Sequence, residues 1–79
     1  MEKNEILERV KEVVSSVIKV ERSEITDDAN FIFDLGADSM QSVELVAGFE
    51  EAFDIEMDQD KALEIQNIDD AVNFIAEYL

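Results

Sequence analysis

Apolar residues in the first part of the chain fall three and four positions apart. Between Glu5 and Lys19 they are Ile6, Leu7, Val10, Val13, Val14, Val17 and Ile18. That spacing draws one stripe along an α-helix and contains no strict alternation for a strand. Valine favours strands by propensity, but period decides where the two disagree. Asn4 is the expected N-cap, and Glu5 and Glu8 suit the positive helix start. The same period returns at the other end, where Ile68, Ala71, Val72, Ile75 and Leu79 form the cleanest amphipathic pattern in the chain. Asn67 precedes it as a second N-cap, with Asp69 and Asp70 in the first turn.

Two further helical segments lie between these ends. After Asp38, Met40, Val43, Val46, Ala47 and the segment Phe49 to Phe53 trace a stripe, with Leu45 apolar but off it. Asp38 and Gln41 form a capping-box pair. A short segment from Gln59 to Ile65 follows, with Asp58 as its cap and Ala62, Leu63 and Ile65 as its apolar positions. From Val20 to Asp38 no period emerges, and a loop of that length in a small domain is usually functional. Its apolar residues Ile25, Phe31, Ile32, Phe33 and Leu35 should pin it to the core, and Gly36 should make a tight turn. Gly48 sits inside the second helix at a cost of about 1 kcal/mol relative to alanine. It marks either a close approach by another group or a tolerated defect. The chain has no proline and no linker or repeat. The expectation is an all-α, four-helix bundle, a single domain over 1–79, with three longer helices, one short helix and a long first loop.

Composition removes several function classes. The chain has 79 residues, 21 acidic against 6 basic, and a net charge of −15. Phosphate-backbone binding needs lysine and arginine, so no nucleic-acid partner is expected. With no cysteine and no histidine, there is no disulfide framework, thiol nucleophile, imidazole base or zinc ligand set. No apolar run approaches the roughly 20 residues that span a bilayer. The first residues lack a basic-then-apolar signal pattern. A cytoplasmic chain without membrane insertion is the expectation, and its charge disfavours self-association, so a monomer is expected.

Catalysis by the chain alone is not expected. Carboxylate pairs need a cleft between them, and close pairs arise by chance among so many acids. Asp54, Glu56, Asp58 and Asp60 form an acidic cluster, but a calcium loop needs Gly at its sixth place and Glu at its twelfth. From Asp58 those places hold Leu63 and Asp69, and from Asp54 they hold Gln59 and Ile65. No dedicated metal site is expected; loose divalent-cation association follows from charge alone.

The segment Asp34-Leu35-Gly36-Ala37-Asp38-Ser39-Met40 stands apart. A glycine turn there delivers a serine to the first turn of a helix. Unpaired N–H groups and the helix dipole favour an anionic group at that position. The plainer reading is that Ser39 or Asp38 only caps the helix.

Phe33 to Met40, then Val43-Glu44-Leu45-Val46, then Glu50 to Glu56 together resemble the bacterial acyl carrier protein family. The resemblance covers essentially the whole chain. It implies an acyl-carrier-like bundle with 4′-phosphopantetheine esterified to Ser39 by a phosphopantetheinyl transferase, flanked by Asp38 and Met40. It implies a carrier of acyl chains as thioesters, with no catalytic activity of its own, serving fatty acid biosynthesis. The alternatives are a specialised carrier for polyketide, lipopeptide, lipid A or cell-envelope acyl transfer, or an acidic helical interaction or weak divalent-cation-binding protein.

Within this resemblance, Asp38, Glu44, Glu50 and Glu51 would meet basic docking patches on acyl-transfer and chain-elongation enzymes. Phe31, Val46, Phe49, Met57, Ala62, Ile65 and Ala71 would line a pocket for the acyl chain. Each of these is also an ordinary core residue by pattern. Some positions depart from the family's usual residues. Met40 stands for leucine, Gln41 for an acid, Asp58 for a common proline, and Ala47-Gly48-Phe49 for a bulkier trio. These departures bear on the pathway served rather than on the carrier role.

Overall fold

A computed structural model describes all residues, 1–79. Its helices are α1 (Lys3–Ile18), α2 (Ser39–Phe53), α3 (Gln59–Ala62) and α4 (Ile68–Ala76), with a 3₁₀ turn at Arg22–Glu24 in the long loop. The expected all-α architecture is present. α1 is the spine: it packs against both α2 and α4, and α3 has no comparable helix partner.

The α1 stripe lies where its period puts it. Ile6, Val10, Val14 and Ile18 are buried, and Val13 and Val17 are half-buried at its edge. The start differs from expectation. The helix begins at Lys3 with Glu2 as N-cap, not Asn4, and no side chain caps it. The Glu2 carbonyl accepts from the N–H groups of Glu5 and Ile6, and the Lys3 ammonium donates to the Asn73 side chain on α4 at 2.9 Å. That tertiary tie holds a first turn that capping propensity alone does not specify. At the other end Lys19 adopts the left-handed conformation, φ 66°, and its N–H donates to the Ser15 carbonyl.

The stripe of α2 needs correction. Leu45, Val46, Phe49 and Phe53 are its buried residues, so Leu45 belongs to the core, while Val43 and Ala47 face solvent and Met40 is 72% exposed. Positions 45, 46, 49 and 53 give the period of one face; the short apolar residues at 43 and 47 carry the same hydropathy without the burial. Gly48 resolves toward close approach. The approaching group is a side chain: a Cβ at position 48 would lie 2.7 Å from Val13 Cγ1 on α1. The missing side chain lets the two helices close.

α3 is shorter than its pattern suggests. Asp58 caps it as expected, accepting from the Lys61 N–H, but the helix stops at Ala62. Glu64 N–H donates to the Lys61 carbonyl and Ile65 N–H to the Ala62 carbonyl. These tighter i to i+3 bonds wind the last turn and leave Leu63 facing out. α4 keeps its Asn67 cap, whose side chain accepts from the Asp70 N–H, and ends at Ala76. A similar tightened tail after Ala76 leaves Leu79 exposed rather than on the stripe.

The long loop is only partly pinned by its apolar residues. Ile25, Ala29, Phe31 and Ala37 are buried, whereas Ile32 and Phe33 are not. Backbone pairing fixes the rest. Asn30 and Asn67 form an isolated antiparallel bridge, in which Phe31 N–H donates to the Gln66 carbonyl at 2.9 Å and Ile68 N–H to the Ala29 carbonyl at 3.0 Å. The loop is thereby tied to the start of α4.

Candidate functional site at the start of the second helix

The turn before α2 is assembled around Asn30. Its side-chain oxygen accepts from the N–H groups of Ile32 and Phe33, both at 2.9 Å, and its own N–H donates to the Asp34 carboxylate at 2.7 Å. Gly36 N–H donates to the Ile32 carbonyl and Ala37 N–H to the Phe31 carbonyl. Gly36 takes φ 75°, the left-handed region that glycine enters at no steric cost. Ala37 then turns inward and is buried, which leaves Asp38 and Ser39 on the outside at the helix start.

The capping work falls to Asp38. Its carboxylate accepts from the Gln41 N–H at 2.8 Å, while Gln41 Oε1 accepts from the Asp38 N–H at 3.1 Å. This is the reciprocal box expected from the two residues. Ser39 is therefore released from capping. Its hydroxyl is exposed and bonded to no other group, and the N–H groups of Ser39 and Met40 have no protein acceptor. A free hydroxyl beside two free donors at the positive end of a fifteen-residue helix is a fitting seat for a phosphodiester.

Below this start lies an apolar cavity of about 440 Å³. All seven residues named for a pocket line it: Phe31 from the loop, Val46 and Phe49 from α2, Met57, Ala62 and Ile65 around α3, and Ala71 from α4. Ser42 is also on its wall. It stands three residues after Ser39, on the same side of α2 and about one turn further along. The face of α2 that begins at Ser39 thus runs down through Ser42 and Val46 to Phe49 inside the cavity.

Sequence reasoning missed several wall residues. Leu45, Phe74 and Ile75 line the cavity as well; Leu45 is found once the α2 stripe is drawn correctly, and Ile75 lies on the α4 stripe. Ile32, Phe33 and Leu63 are on the wall yet exposed by 56%, 88% and 47%, and no period pointed to them.

The acidic residues divide into two kinds. Glu44 and Glu51 extend into solvent from α2. Glu50 is half-buried, and its carboxylate accepts from the Met57 N–H at 2.9 Å, so it also fastens the segment before α3. The Tyr78 hydroxyl accepts from the next N–H, that of Asp58, at 3.0 Å. No three acidic side chains converge as a metal site. No helix is long and apolar enough to cross a membrane. Charge is unevenly spread: α1 carries equal numbers of acids and bases, whereas 15 of the 21 acids and a single base, Lys61, lie from Asp27 onward.

Comparison with known proteins matches this arrangement to one class. The family model described as the phosphopantetheine attachment site matches residues 8–75. An acyl carrier protein of Guillardia theta is 48% identical over 77 residues, covering 98% of this chain and 95% of its own. One from Caulobacter vibrioides strain NA1000 is 50% identical over 74 residues, covering 94% and 95%. A third, from Phenylobacterium zucineum strain HLK1, is 49% identical over 76 residues, covering 96% of each chain. The class is that of domains bearing phosphopantetheine. Within it, the chain belongs to the acyl carrier protein family. It is a carrier with covalent 4′-phosphopantetheine, without catalytic activity of its own, and it takes acyl cargo to enzymes.

Proposed function

We propose that Ser39 is the residue esterified by 4′-phosphopantetheine, through a phosphopantetheinyl transferase acting with coenzyme A. The observation that carries this is the free, exposed Ser39 hydroxyl at the α2 start, with Asp38 taking over the cap. The arm supplies the thiol that the polypeptide lacks and holds acyl groups on it as thioesters. The chain's own part is to seat the phosphodiester on the Ser39 and Met40 N–H groups and to offer the cavity below to the alkyl portion. Phe31, Val46, Phe49, Met57, Ala62, Ile65 and Ala71 then form the cargo pocket. Burial of each CH₂ there gains roughly 0.8 kcal/mol. Residues 1–79 act as one carrier domain, a cytoplasmic monomer.

Fatty acid biosynthesis is the pathway we assign, supported by the predominantly apolar lining of the cavity, 13 of whose 17 residues are hydrophobic. Partners are acyl-transfer and chain-elongation enzymes that present basic patches. Asp38, Glu44 and Glu51 meet those patches, and Glu50 adds its charge while tied to Met57. Tethering the cargo raises its local concentration at each enzyme in turn.

The test is intact mass. The wild-type chain, incubated with coenzyme A and a broad-specificity transferase, gains one phosphopantetheine, and Ser39→Ala gains nothing. Because Ser39 makes no side-chain bond, the variant keeps its melting temperature. A mass gain on Ser39→Ala would place the arm elsewhere.

A further inference from the structure

The cavity has an unusual rim. Phe33 counts among its wall residues and yet leaves nine-tenths of its surface in water; Leu63, also on the wall, is about half exposed. Met40 and Val43 are likewise exposed and apolar, but neither touches the cavity. Exposure alone therefore does not set Phe33 apart; it is the most exposed of three exposed apolar residues on the wall, with Ile32 at 56% and Leu63 at 47%. Phe33 comes from the loop, Leu63 from the turn that ends α3. The two segments are joined at their bases by the Asn30–Asn67 bridge and the Phe31 to Gln66 hydrogen bond. The backbone under Phe33 is held by the Asn30 side chain, so the ring moves by its own rotamers and not with a swinging loop.

We propose that Phe33 and Leu63 are a pair of lips that fold onto the alkyl chain after it enters past Ser42, so that they retain apolar cargo and disfavour cargo that is polar near the mouth. The proposal rests on the reading of Ser39 as the arm's anchor. An aromatic ring and a leucine that are wet in the empty carrier lose that exposure when an apolar group in the cavity covers them. The pair therefore contributes nothing to the fold until cargo arrives. A polar substituent at the same depth leaves the lips wet and is itself partly desolvated without a partner. Phe33 and Leu63 are in this sense positioning residues: they hold the cargo and take no part in chemistry. Cargo rather than a protein partner is what covers Phe33, because Phe33 lies on the wall of the cavity that the cargo enters.

The experiment loads the full chain from coenzyme A and from hexanoyl-, decanoyl- and tetradecanoyl-coenzyme A with a broad-specificity transferase, then measures melting temperature by calorimetry. In the wild type the melting temperature rises from the unacylated to the decanoyl form. Phe33→Ala and Phe33→Glu melt with the wild type when unacylated but lose at least half of that rise, Phe33→Glu losing more. Leu63→Ala behaves like Phe33→Ala, and Phe33→Leu restores most of the rise. If Phe33→Ala and Phe33→Glu keep the full rise, the lips are overturned; a slowed transferase reaction in those variants, with the rise intact, assigns Phe33 to protein docking instead. A wild type whose melting temperature ignores acylation also overturns them. Failure of the underlying carrier reading has a separate signature, the absence of any mass gain on the wild-type chain.

Discussion

Gly48 and Val13 meet where α2 closes on α1, and a Cβ at position 48 would come within 2.7 Å of Val13 Cγ1. Two opposed terms act on Gly48→Ala. Helix propensity favours alanine by about 1 kcal/mol. Overpacking against a β-branched neighbour costs about 1–3 kcal/mol. The packing term prevails because valine has little rotameric freedom in a helix. Gly48→Ala should therefore lower stability in urea melts by up to about 2 kcal/mol despite its better propensity. Adding Val13→Ala should recover part of the loss, a coupling that a double-mutant cycle reads directly. Stabilisation by Gly48→Ala alone would show that the helices separate freely.

Asp38 and Gln41 satisfy one another's backbone donors at the α2 start. Asp38→Ala should cost about 1 kcal/mol, a fall of several degrees in melting temperature for a domain of this size. Asp38→Asn should retain most of it, since the amide oxygen still accepts from the Gln41 N–H. The same substitution separates cap from charge: if transferase rates fall in Asp38→Asn while stability holds, the carboxylate acts in docking as well as in capping.

Glu44 and Glu51 stand clear of any intramolecular bond, unlike Glu50. Glu44→Lys and Glu51→Lys should leave the fold unchanged and lower the association rate with a basic enzyme partner several-fold at low salt. Added salt should shrink the difference, because the interacting charges are exposed. Glu50→Gln should behave differently, weakening the acceptor for the Met57 N–H and lowering stability. Stopped-flow association at several salt concentrations, set beside thermal melts, checks all three variants.

The helices and three of their caps were legible in the sequence for a common reason: each is a local pattern. Asp38, Asn67 and Asp58 cap through bonds to residues three positions on, which spacing predicts. The seven residues that the family resemblance marked for a pocket share one cavity, and each is also an ordinary core position by pattern. What the sequence did not reveal depends on distant partners. The α1 start is set by Lys3 reaching Asn73, and the neighbour of Gly48 is a residue thirty-five positions away. The α2 stripe was misdrawn at Val43 and Leu45 because hydropathy alone does not phase a helix whose outer face is also apolar. The Phe33 ring was expected to pin the loop, yet the Asn30–Asn67 bridge and the Asn30 side chain do that work, leaving the ring outside.

The charge division has a kinetic meaning. α1 is neutral, and nearly all the excess negative charge lies in the rest of the chain. The fold thus sets a neutral helix against acidic neighbours, and charge is unevenly distributed around the molecule. In the field of a basic surface it experiences a torque while still about a Debye length away, roughly 8–10 Å at moderate ionic strength. If partners present basic patches, as proposed above, the acidic segments would turn forward before contact and α1 would trail. A label or tether attached to the outer face of α1 would then ride behind the carrier as it approaches a basic partner.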